Sequence, residues 1–397
     1  MKLAERTRLL TPPGTSKMRV LANELKDAGI NVVNFAAGEL DIDTSETIRE
    51  AAKAAIDAKR NVYTPTMGIA SLRQKVAERV SAHTGVTYTS SEVGLTSGAK
   101  QALYNAAMVL LNPGDEVIIP QPYWVTFPAQ VELCGATPVF VDTHDDGYRL
   151  RAARVQQAIS PKTKAIIINS PNNPTGTLYE AAELEKIAAL ALEKGLWIIF
   201  DECYASLVRD GHRHVNIVEL VPKLKEQTVI VNSFSKSHAL TGWRLGYTAA
   251  PSAVIKAMEN LQGHTTSNPN SIAQYAIEAA LSSEDGSYIA AVNQRLQQRL
   301  ELANHLIAKM RGIHAAPAEG AFYVFLNVAS TFGKACNGAA IRDVDHLCEL
   351  LLSKANVAVV PGSAFGEPSG IRLSYAIGEQ DIEDGLTRMA TFFNAIY

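Results

Sequence analysis

The sequence predicts an α/β fold: a mostly parallel seven-stranded sheet in a large three-layered (α/β/α) domain, with a smaller, discontinuous α+β domain. Short β-branched segments alternate with Ala/Leu/Glu-rich helical segments between about residues 90 and 250, which is typical of a parallel sheet. After about residue 285 this alternation gives way to long helical patterns with fewer strands. A chain of 397 residues is also long enough to form more than one hydrophobic core.

Seven segments are predicted as strands of the large sheet: Val93–Thr96, Glu116–Ile119, Thr137–Val141, Lys164–Asn169, Leu196–Phe200, Thr228–Val231 and Leu245–Ala249. Amphipathic helices lie between several of them, including Lys100–Leu111 and Glu180–Lys194. In the second helix Leu184, Ile187 and Ala191 share one face. Parallel sheets of this kind bind ligands at the carboxyl ends of their strands, so the residues just after each strand are the first candidates for a site.

The smaller unit is predicted from the end of the chain. Its segments are the helices Tyr288–Lys309, Val344–Ala355 and Glu379–Ala395 and the strands Ala321–Asn327, Val357–Val360 and Gly370–Tyr375. The N-terminal arm carries a helix to about Ala28, is too short to fold alone, and is expected to pack on this unit. We therefore expect residues 46–287 to form the large domain and residues 1–45 plus 288–397 the small one.

Composition excludes several classes of function. The chain has 37 Lys+Arg against 40 Asp+Glu, so its formal net charge is −3 and it shows no basic patch for nucleic acid or an anionic membrane. It has no secretory signal and no apolar stretch of ~18 residues, so a cytoplasmic location is expected. The four cysteines form no CxxC pair, and His212 and His214 are interpreted as parts of a surface loop. No metal site is expected.

Three polar clusters follow predicted strands: Asn172–Gly176, Asp201–Tyr204, and Ser233–Lys236 with Gly242–Tyr247 close behind. Taken singly they have ordinary explanations, namely a turn, a helix N-cap and a surface lysine. Taken together they suit pyridoxal phosphate (PLP), which needs a lysine for a Schiff base, an acid for its pyridine nitrogen and a phosphate site. Lys236, Asp201 and Arg244 are of the right types, and the turn Ser97–Ala99 opens a helix that could bind phosphate.

With these motifs the sequence resembles the class I PLP-dependent aminotransferases of fold type I, most closely the bacterial aspartate/aromatic branch. The motifs are Asn-Asn-Pro-Thr-Gly, Asp-Glu-x-Tyr, Ser-x-Ser-Lys followed by Gly-Trp-Arg-x-Gly-Tyr, and Gly-Ala-Phe-Tyr at Gly320–Tyr323. The resemblance runs from Gly38-Glu39 to Arg372–Tyr375, which is most of the chain. Where relatives usually have Gly-Glu-Pro-Asp, this chain has Gly38-Glu39-Leu40-Asp41, and Cys203, His238 and Ala99 also depart from the family pattern. Together these departures put strict aspartate specificity in question.

The resemblance implies a role for each cofactor-binding residue. Lys236 would form the Schiff base and then act as the base that moves a proton. Asp201 would pair with the pyridine nitrogen, while Tyr204 and Asn173 would hydrogen-bond the phenolic oxygen. Trp124 would stack on the ring, although it could instead be a core tryptophan. The phosphate would be held by Gly98, Ala99, Lys100, Ser233, Ser235 and Arg244. Tyr63 would reach the phosphate of a neighbouring subunit, which implies a homodimer with shared active sites.

The same resemblance implies a substrate site. Arg372 would bind the α-carboxylate of the amino acid in a bidentate fork, assisted by Asn173, Trp124 and the backbone of Gly38. Lys100 and Thr15 are candidates for reading a second carboxylate, although Lys100 could equally be a first-turn helix residue in solvent.

The expected function is therefore transfer of an amino group between an L-amino acid of the aspartate/glutamate or aromatic type and a 2-oxo acid, by a ping-pong mechanism. Lys236 and Asp201 would serve equally well in a lyase, oxidase or cyclase on the same scaffold, so that alternative stays open. A dehydrogenase is disfavoured because no Gly-x-Gly-x-x-Gly follows a strand. The sequence leaves the donor, the acceptor and the pathway open.

Overall fold

A computed structural model describes residues 2–8, 14–283, 286–336 and 339–396. In this part of the chain the α-helices are α1 (Gly14–Asp27), α2 (Glu46–Asp57), α3 (Ala70–Thr84), α4 (Ala99–Leu110), α5 (Thr126–Leu133), α6 (Ala152–Ala158), α7 (Ala181–Lys194), α8 (Ile217–Leu220), α9 (Phe234–Ser237), α10 (Ser252–Gly263), α11 (Ser271–Ser283), α12 (Ser287–Ile307), α13 (Val344–Ala355) and α14 (Glu379–Asn394). None of these helices combines the length and the apolar character needed to cross a membrane.

The strands in the same residues are β1 (Val33–Asn34), β2 (Val93–Thr96), β3 (Glu116–Gln121), β4 (Thr137–Asp142), β5 (Thr163–Asn169), β6 (Trp197–Asp201), β7 (Thr228–Ser233), β8 (Gly246–Ala249), β9 (His314–Ala315), β10 (Tyr323–Asn327), β11 (Ala335–Cys336), β12 (Ala339–Ala340), β13 (Val357–Ala358), β14 (Val360–Pro361) and β15 (Gly370–Ser374). All seven strands predicted for the large sheet are present, with ends that differ by no more than two residues.

The large sheet has the strand order β2-β8-β7-β6-β5-β3-β4. Strand β8 runs antiparallel to both of its neighbours, and the other pairs are parallel. Successive residues of β5 enter two different hydrophobic cores: Ile166 and Ile168 pack with α3 and α7, whereas Ala165 and Ile167 pack with α4 and α10. Helices therefore cover both faces, which confirms the predicted α/β/α arrangement.

A second, antiparallel sheet has the order β14-β15-β10-β9 and packs with α12, α13 and α14 in a core of its own. Met18 and Ala22 of α1 are buried in that core. Strand β1 adds a short parallel pair with β13. The division of the chain at residues 45/46 and 287/288 stays a prediction.

Candidate active site

A cavity of about 380 Å³ opens at the carboxyl ends of β5, β6 and β7, on the side facing the second sheet. Its wall is formed by Ala36, Gly38, Glu39, Ala99, Lys100, Trp124, Asn169, Asn173, Asp201, Cys203, Tyr204, Ser233, Ser235, Lys236, Thr241, Arg244, Tyr323 and Arg372. Most of the residues singled out from the sequence therefore meet in one place. The strand-end rule explains why, since parallel strands bring their last residues to a common edge.

Lys236 lies on α9, directly after β7, with its amine inside this cavity. Its Nζ donates a hydrogen bond to the carbonyl oxygen of Gly38. Burial lowers the pKa of Lys236 to about 8, and the positive charges of Arg372 and Arg244 act in the same direction. An amine with this pKa is partly neutral near pH 7 to 8 and can act as a nucleophile toward a carbonyl group.

Asp201 is the last residue of β6 and is almost completely buried. The backbone N–H of Cys203 donates to its Oδ1 at 3.1 Å, and no described lysine, arginine or histidine forms an ion pair with it. Burial raises the pKa of Asp201 to about 6. A buried carboxylate in this position would be stabilised by a protonated ring nitrogen brought into the cavity.

Tyr204 and Asn173 also line the cavity. The hydroxyl groups of Tyr204 and Tyr323 are 3.0 Å apart, and burial raises the pKa of Tyr204, so its phenol stays protonated and can donate. The backbone N–H of Asn173 donates to Oδ1 of Asn169 at 2.9 Å, which fixes the turn after β5. This turn is part of the Asn-Asn-Pro-Thr-Gly motif, and its last residue, Gly176, has a φ of +74° that only glycine adopts without strain.

Arg372 comes from β15 of the second sheet and has only 3% of its surface exposed. Its Nη1 donates to Oδ1 of Asn173 at 3.0 Å and its Nη2 to the carbonyl oxygen of Ala36 at 3.1 Å. The guanidinium lies 4.4 Å from the ring centroid of Tyr323. Its buried Nε has no hydrogen-bond partner, and no described carboxylate pairs with the group. Arg372 is thus a buried cation prepared for an incoming anion.

The other end of the cavity is suited to a phosphate. Gly98 caps the N-terminus of α4 with a φ of +81°, and a Cβ there would come within 2.5 Å of Nη2 of Arg244. A Cβ on Gly246 would come within 2.7 Å of the backbone nitrogen of Ala99. Side chains larger than hydrogen would therefore fill the space beside the first N–H groups of α4. Free backbone N–H groups, an arginine and the hydroxyls of Ser233 and Ser235 form an anion site.

The remaining predicted residues differ in how they relate to the cavity. Trp124 lines it, and Nζ of Lys100 lies 4.8 Å from the Trp124 ring centroid. Burial and the charge of Arg244 lower the pKa of Lys100, although part of the side chain still reaches solvent. Tyr63 does not line the cavity and is 88% exposed. The side chain of Thr15 lies outside the described part of the chain.

Comparison with known proteins identifies the family. Residues 30–389 match the family described as "Aminotransferase class I and II". The chain belongs to this family. It is 43% identical to an aspartate aminotransferase of Geobacillus stearothermophilus over 100% of both chains. It is 40% identical to an aspartate/prephenate aminotransferase of Cereibacter sphaeroides over 96% of both.

Solved structures agree with this assignment. The aspartate aminotransferase from Rhizobium meliloti has a TM-score of 0.96 and 36% identity, with 100% of both chains covered. That from Thermus thermophilus, titled "with maleate", has a TM-score of 0.93 and 36% identity and covers 99% of this chain and 100% of its own. The fold and the transfer of an amino group between amino and 2-oxo acids, as predicted from the sequence, are confirmed for this aminotransferase. The family implies PLP as the cofactor.

Six cavity residues of this aminotransferase had no role in the sequence prediction: Ala36, Glu39, Asn169, Cys203, Thr241 and Tyr323. Asn169 ends β5, as Asp201 ends β6, so the strand-end rule could have found it. Tyr323 belongs to the Gly-Ala-Phe-Tyr motif, which gave no indication of a function. Cys203 lies between Asp201 and Tyr204 in one motif, and Thr241 donates from its hydroxyl to Oε2 of Glu39 at 2.9 Å.

The interpretation of His214 as part of a surface loop was wrong. Its side chain is buried, and its Nε2 lies 3.1 Å from Oε2 of Glu202. His212, two residues earlier, is exposed as expected. The polar sequence around both histidines suggested a solvated loop, but the carboxylate of Glu202 offers a partner that permits burial of one imidazole.

Proposed function

We propose that this aminotransferase binds PLP in the cavity and transfers the amino group of a dicarboxylic L-amino acid, with aspartate preferred, to a 2-oxo acid in two half-reactions. The observation that carries the proposal is Arg372, a buried guanidinium that lines the same cavity as the Lys236 amine and whose Nε has no hydrogen-bond partner among the described residues. The pairing of a carboxylate receptor with a reactive amine is what an amino-acid substrate requires. The names of the relatives favour aspartate over other donors.

The residues of the cavity fit PLP. Lys236 would hold the aldehyde carbon, Asp201 would pair with the ring nitrogen, and Tyr204 and Asn173 would bind the phenolic oxygen. Ser233, Ser235, Arg244 and the N-terminus of α4 (Gly98, Ala99 and Lys100) would hold the phosphate, and Trp124 would cover the ring. When bound, PLP supplies an electron sink for the bonds at the substrate Cα.

The chain's own groups would then guide the proton transfers. Arg372 fixes the α-carboxylate, which orients the Cα–H bond toward Lys236. The Lys236 amine would take the proton from the substrate Cα and would later donate it again to complete the transfer. Its lowered pKa suits this task because the amine can accept a proton near neutral pH and give it up again. Lys100, with Thr15, is proposed to bind the second carboxylate.

We further propose a homodimer in which Tyr63 completes the phosphate site of the partner. Tyr63 and its neighbour Val62 are 88% and 73% exposed, which is unusual for two large apolar side chains in sequence and fits a surface that is covered on assembly. Mixing K236A subunits with Y63A subunits tests this arrangement. If Tyr63 acts across the interface, the mixed dimer regains one intact site and activity rises; if it acts within its own chain, mixing restores nothing. The cytoplasmic location stays a prediction.

The decisive test of the reaction is a single half-reaction. PLP-loaded protein is mixed with one L-amino acid at a time and no 2-oxo acid. We expect aspartate and glutamate each to yield one equivalent of 2-oxo acid per site without ammonia, and turnover to begin only when a 2-oxo acid is added. Phenylalanine, tyrosine and the acceptor prephenate measure the breadth of specificity. Release of ammonia or peroxide would instead support a lyase or an oxidase, and failure to bind PLP would refute the proposal altogether.

A further inference from the structure

A second group of polar side chains lies next to the active site but outside its cavity. Glu202 follows Asp201 directly and, with His83, lines a separate cavity of about 220 Å³. His214 reaches the same carboxylate from the loop before α8. We propose that His83, Glu202 and His214 form a binding site for a transition-metal dication, with Zn²⁺ as the best-suited ion.

The distances between the three possible ligand atoms suit such an ion. Nε2 of His214 lies 3.1 Å from Oε2 of Glu202, and Nε2 of His83 lies 3.6 Å from the same oxygen. All three atoms lie within 4.8 Å of one another. In a tetrahedral zinc site with bonds of about 2.0–2.2 Å, ligand atoms are separated by roughly 3.3–3.6 Å. The rings of His83 and His214 are parallel to within 4°, with centroids 5.5 Å apart, and each ring has its Nε2 near Oε2 of Glu202.

The surroundings hold the carboxylate in place. Nδ2 of Asn216 donates to Oε2 of Glu202 at 2.8 Å, and Nδ2 of Asn232 donates to Oε1 at 3.3 Å. Amide donors of this kind fix the orientation of a carboxylate that binds a metal. Glu202 is almost fully buried, and in the described chain its only ion-pair partners are the two histidines. A buried carboxylate whose ion-pair partners among the described residues are histidines favours a bound cation.

Some nearby charges favour the binding of a cation and others oppose it. Oε2 of Glu219 is buried with no hydrogen-bond partner, and its carboxylate adds negative charge close to His83. The guanidinium of Arg213 is engaged by the other oxygen of Glu219, whereas Arg79 contributes a positive charge to the cavity wall. His83 is 37% exposed and borders the cavity, which provides an entry path and room for a fourth, water ligand.

Two features of the site determine which metal ion it prefers and how tightly that ion should bind. Two imidazoles and one carboxylate favour Zn²⁺ over Mg²⁺ or Ca²⁺, which prefer oxygen ligands. Nδ1 of His214 is buried and finds no acceptor among the described residues, so the ring lacks the outer hydrogen bond that strengthens most metal-binding histidines. We therefore expect a Kd in the range of about 1–10 µM rather than nanomolar. Because the ion would join α3, the end of β6 and the loop before α8, binding should stabilise the fold.

The experiment is a titration of PLP-loaded protein with Zn²⁺ alone, followed by calorimetry and thermal unfolding. We expect one ion per chain and a rise in Tm of about 3 °C at a 100-fold excess over Kd. H83A should weaken binding by about 100-fold or more and abolish the rise in Tm. H212A is the matched control, since His212 is an exposed histidine of the same loop, and it should behave like the wild type. Mg²⁺ should produce no rise in Tm.

Several outcomes would overturn the assignment. These are no binding by the wild type below 1 mM, wild-type affinity in H83A, or an equal loss in H212A. If H83A does not fold, the wild type loaded with Co²⁺ decides the question. A visible spectrum of nitrogen and oxygen ligands supports the site, whereas a thiolate charge-transfer band would assign the ion to a cysteine and refute it.

Discussion

Arg299 and Arg372 are both almost fully buried, but only Arg299 pairs with carboxylates of the described chain. Arg299 on α12 donates to both carboxylate oxygens of Asp41 at 2.6 and 2.9 Å and to Oε1 of Glu379 at 2.8 Å. Arg372 on β15 has an amide oxygen, a carbonyl oxygen and two aromatic rings around it, and no described carboxylate. The cost of burying a guanidinium is offset within the chain at Arg299 and left for a ligand to offset at Arg372.

The same contrast extends to the whole cavity. Lys236 and Asp201 lie in one pocket with pKa values shifted toward neutrality by burial, and no described residue forms an ion pair with either. Outside the cavity, Arg149 pairs with Glu319 and Lys225 with Glu92. Charges left uncompensated in one cavity lower the stability of the empty protein and mark the place where ligand binds.

The largest effect is expected for K236A. Removing the amine should lower kcat by about 10⁵-fold or more, because both the attachment of the cofactor and the proton transfer depend on this one group. Stability should be unchanged or slightly higher, since a buried, partly charged amine is lost. K225A is the control: it breaks the ion pair with Glu92 and should leave turnover within about twofold. Transamination retained by K236A would contradict the assigned role.

The comparison of the two arginines is tested directly by R372K and R299K. R372K should lower kcat/KM by about 10²–10³-fold, because lysine cannot reproduce the bidentate fork, while the free energy of unfolding changes little. R299K should instead lower the free energy of unfolding by about 1–3 kcal/mol, a limited loss because Asp41 and Glu379 keep part of their solvent contact. It should reduce kcat/KM far less than R372K does, since Arg299 does not line the cavity. Steady-state kinetics and urea unfolding of both variants provide the measurement. If R372K mainly lowered stability and R299K mainly lowered kcat/KM, the roles assigned to the two arginines would be wrong.

A smaller effect concerns the pH dependence of stability. The pKa of Asp201 is raised by burial from 3.8 to about 6 in the folded protein, so between these pH values the folded state binds more protons than the unfolded state. The free energy of unfolding of the cofactor-free protein should therefore fall as pH rises through this interval, by at most about 3 kcal/mol from this group. The difference between wild type and D201N in urea unfolding at pH 4.5 and 7.5 isolates this contribution. An identical pH dependence in both proteins would show that folding does not raise the pKa of Asp201.

The sequence was sufficient for the parts of the molecule that follow from local pattern. The strands of the large sheet were predicted because β-branched runs and turn residues mark them, and Asp201 and Lys236 were found because they follow those strands. Contacts between distant segments could not be predicted this way. The pairing of Arg299 with Asp41 joins residues 258 positions apart, and the burial of His214 depends on the carboxylate of Glu202. Arg372 was recognised only through its motif, because nothing in its neighbours shows which cavity it reaches.

The smallest predicted effect concerns Lys100, which lines the cavity but is also exposed to solvent. Its Nζ rests near the Trp124 ring inside the cavity, while part of the side chain reaches solvent. If it reads a second carboxylate, K100Q should lower kcat/KM for aspartate and glutamate by about 10-fold and leave phenylalanine within about twofold, since a solvent-screened ion pair contributes modestly.

The control for this prediction is K53Q, because Lys53 is an exposed lysine paired with Glu50 on α2. K53Q should leave kcat/KM unchanged for both kinds of substrate. The pattern across substrates then separates two roles of Lys100. A loss confined to the dicarboxylic donors places the side chain at the distal end of the substrate. An equal loss for all donors, with weaker retention of PLP, would instead mean that its charge acts on the cofactor phosphate, whose other cation, Arg244, already lowers the pKa of Lys100. Selectivity would then have to come from other residues of the cavity.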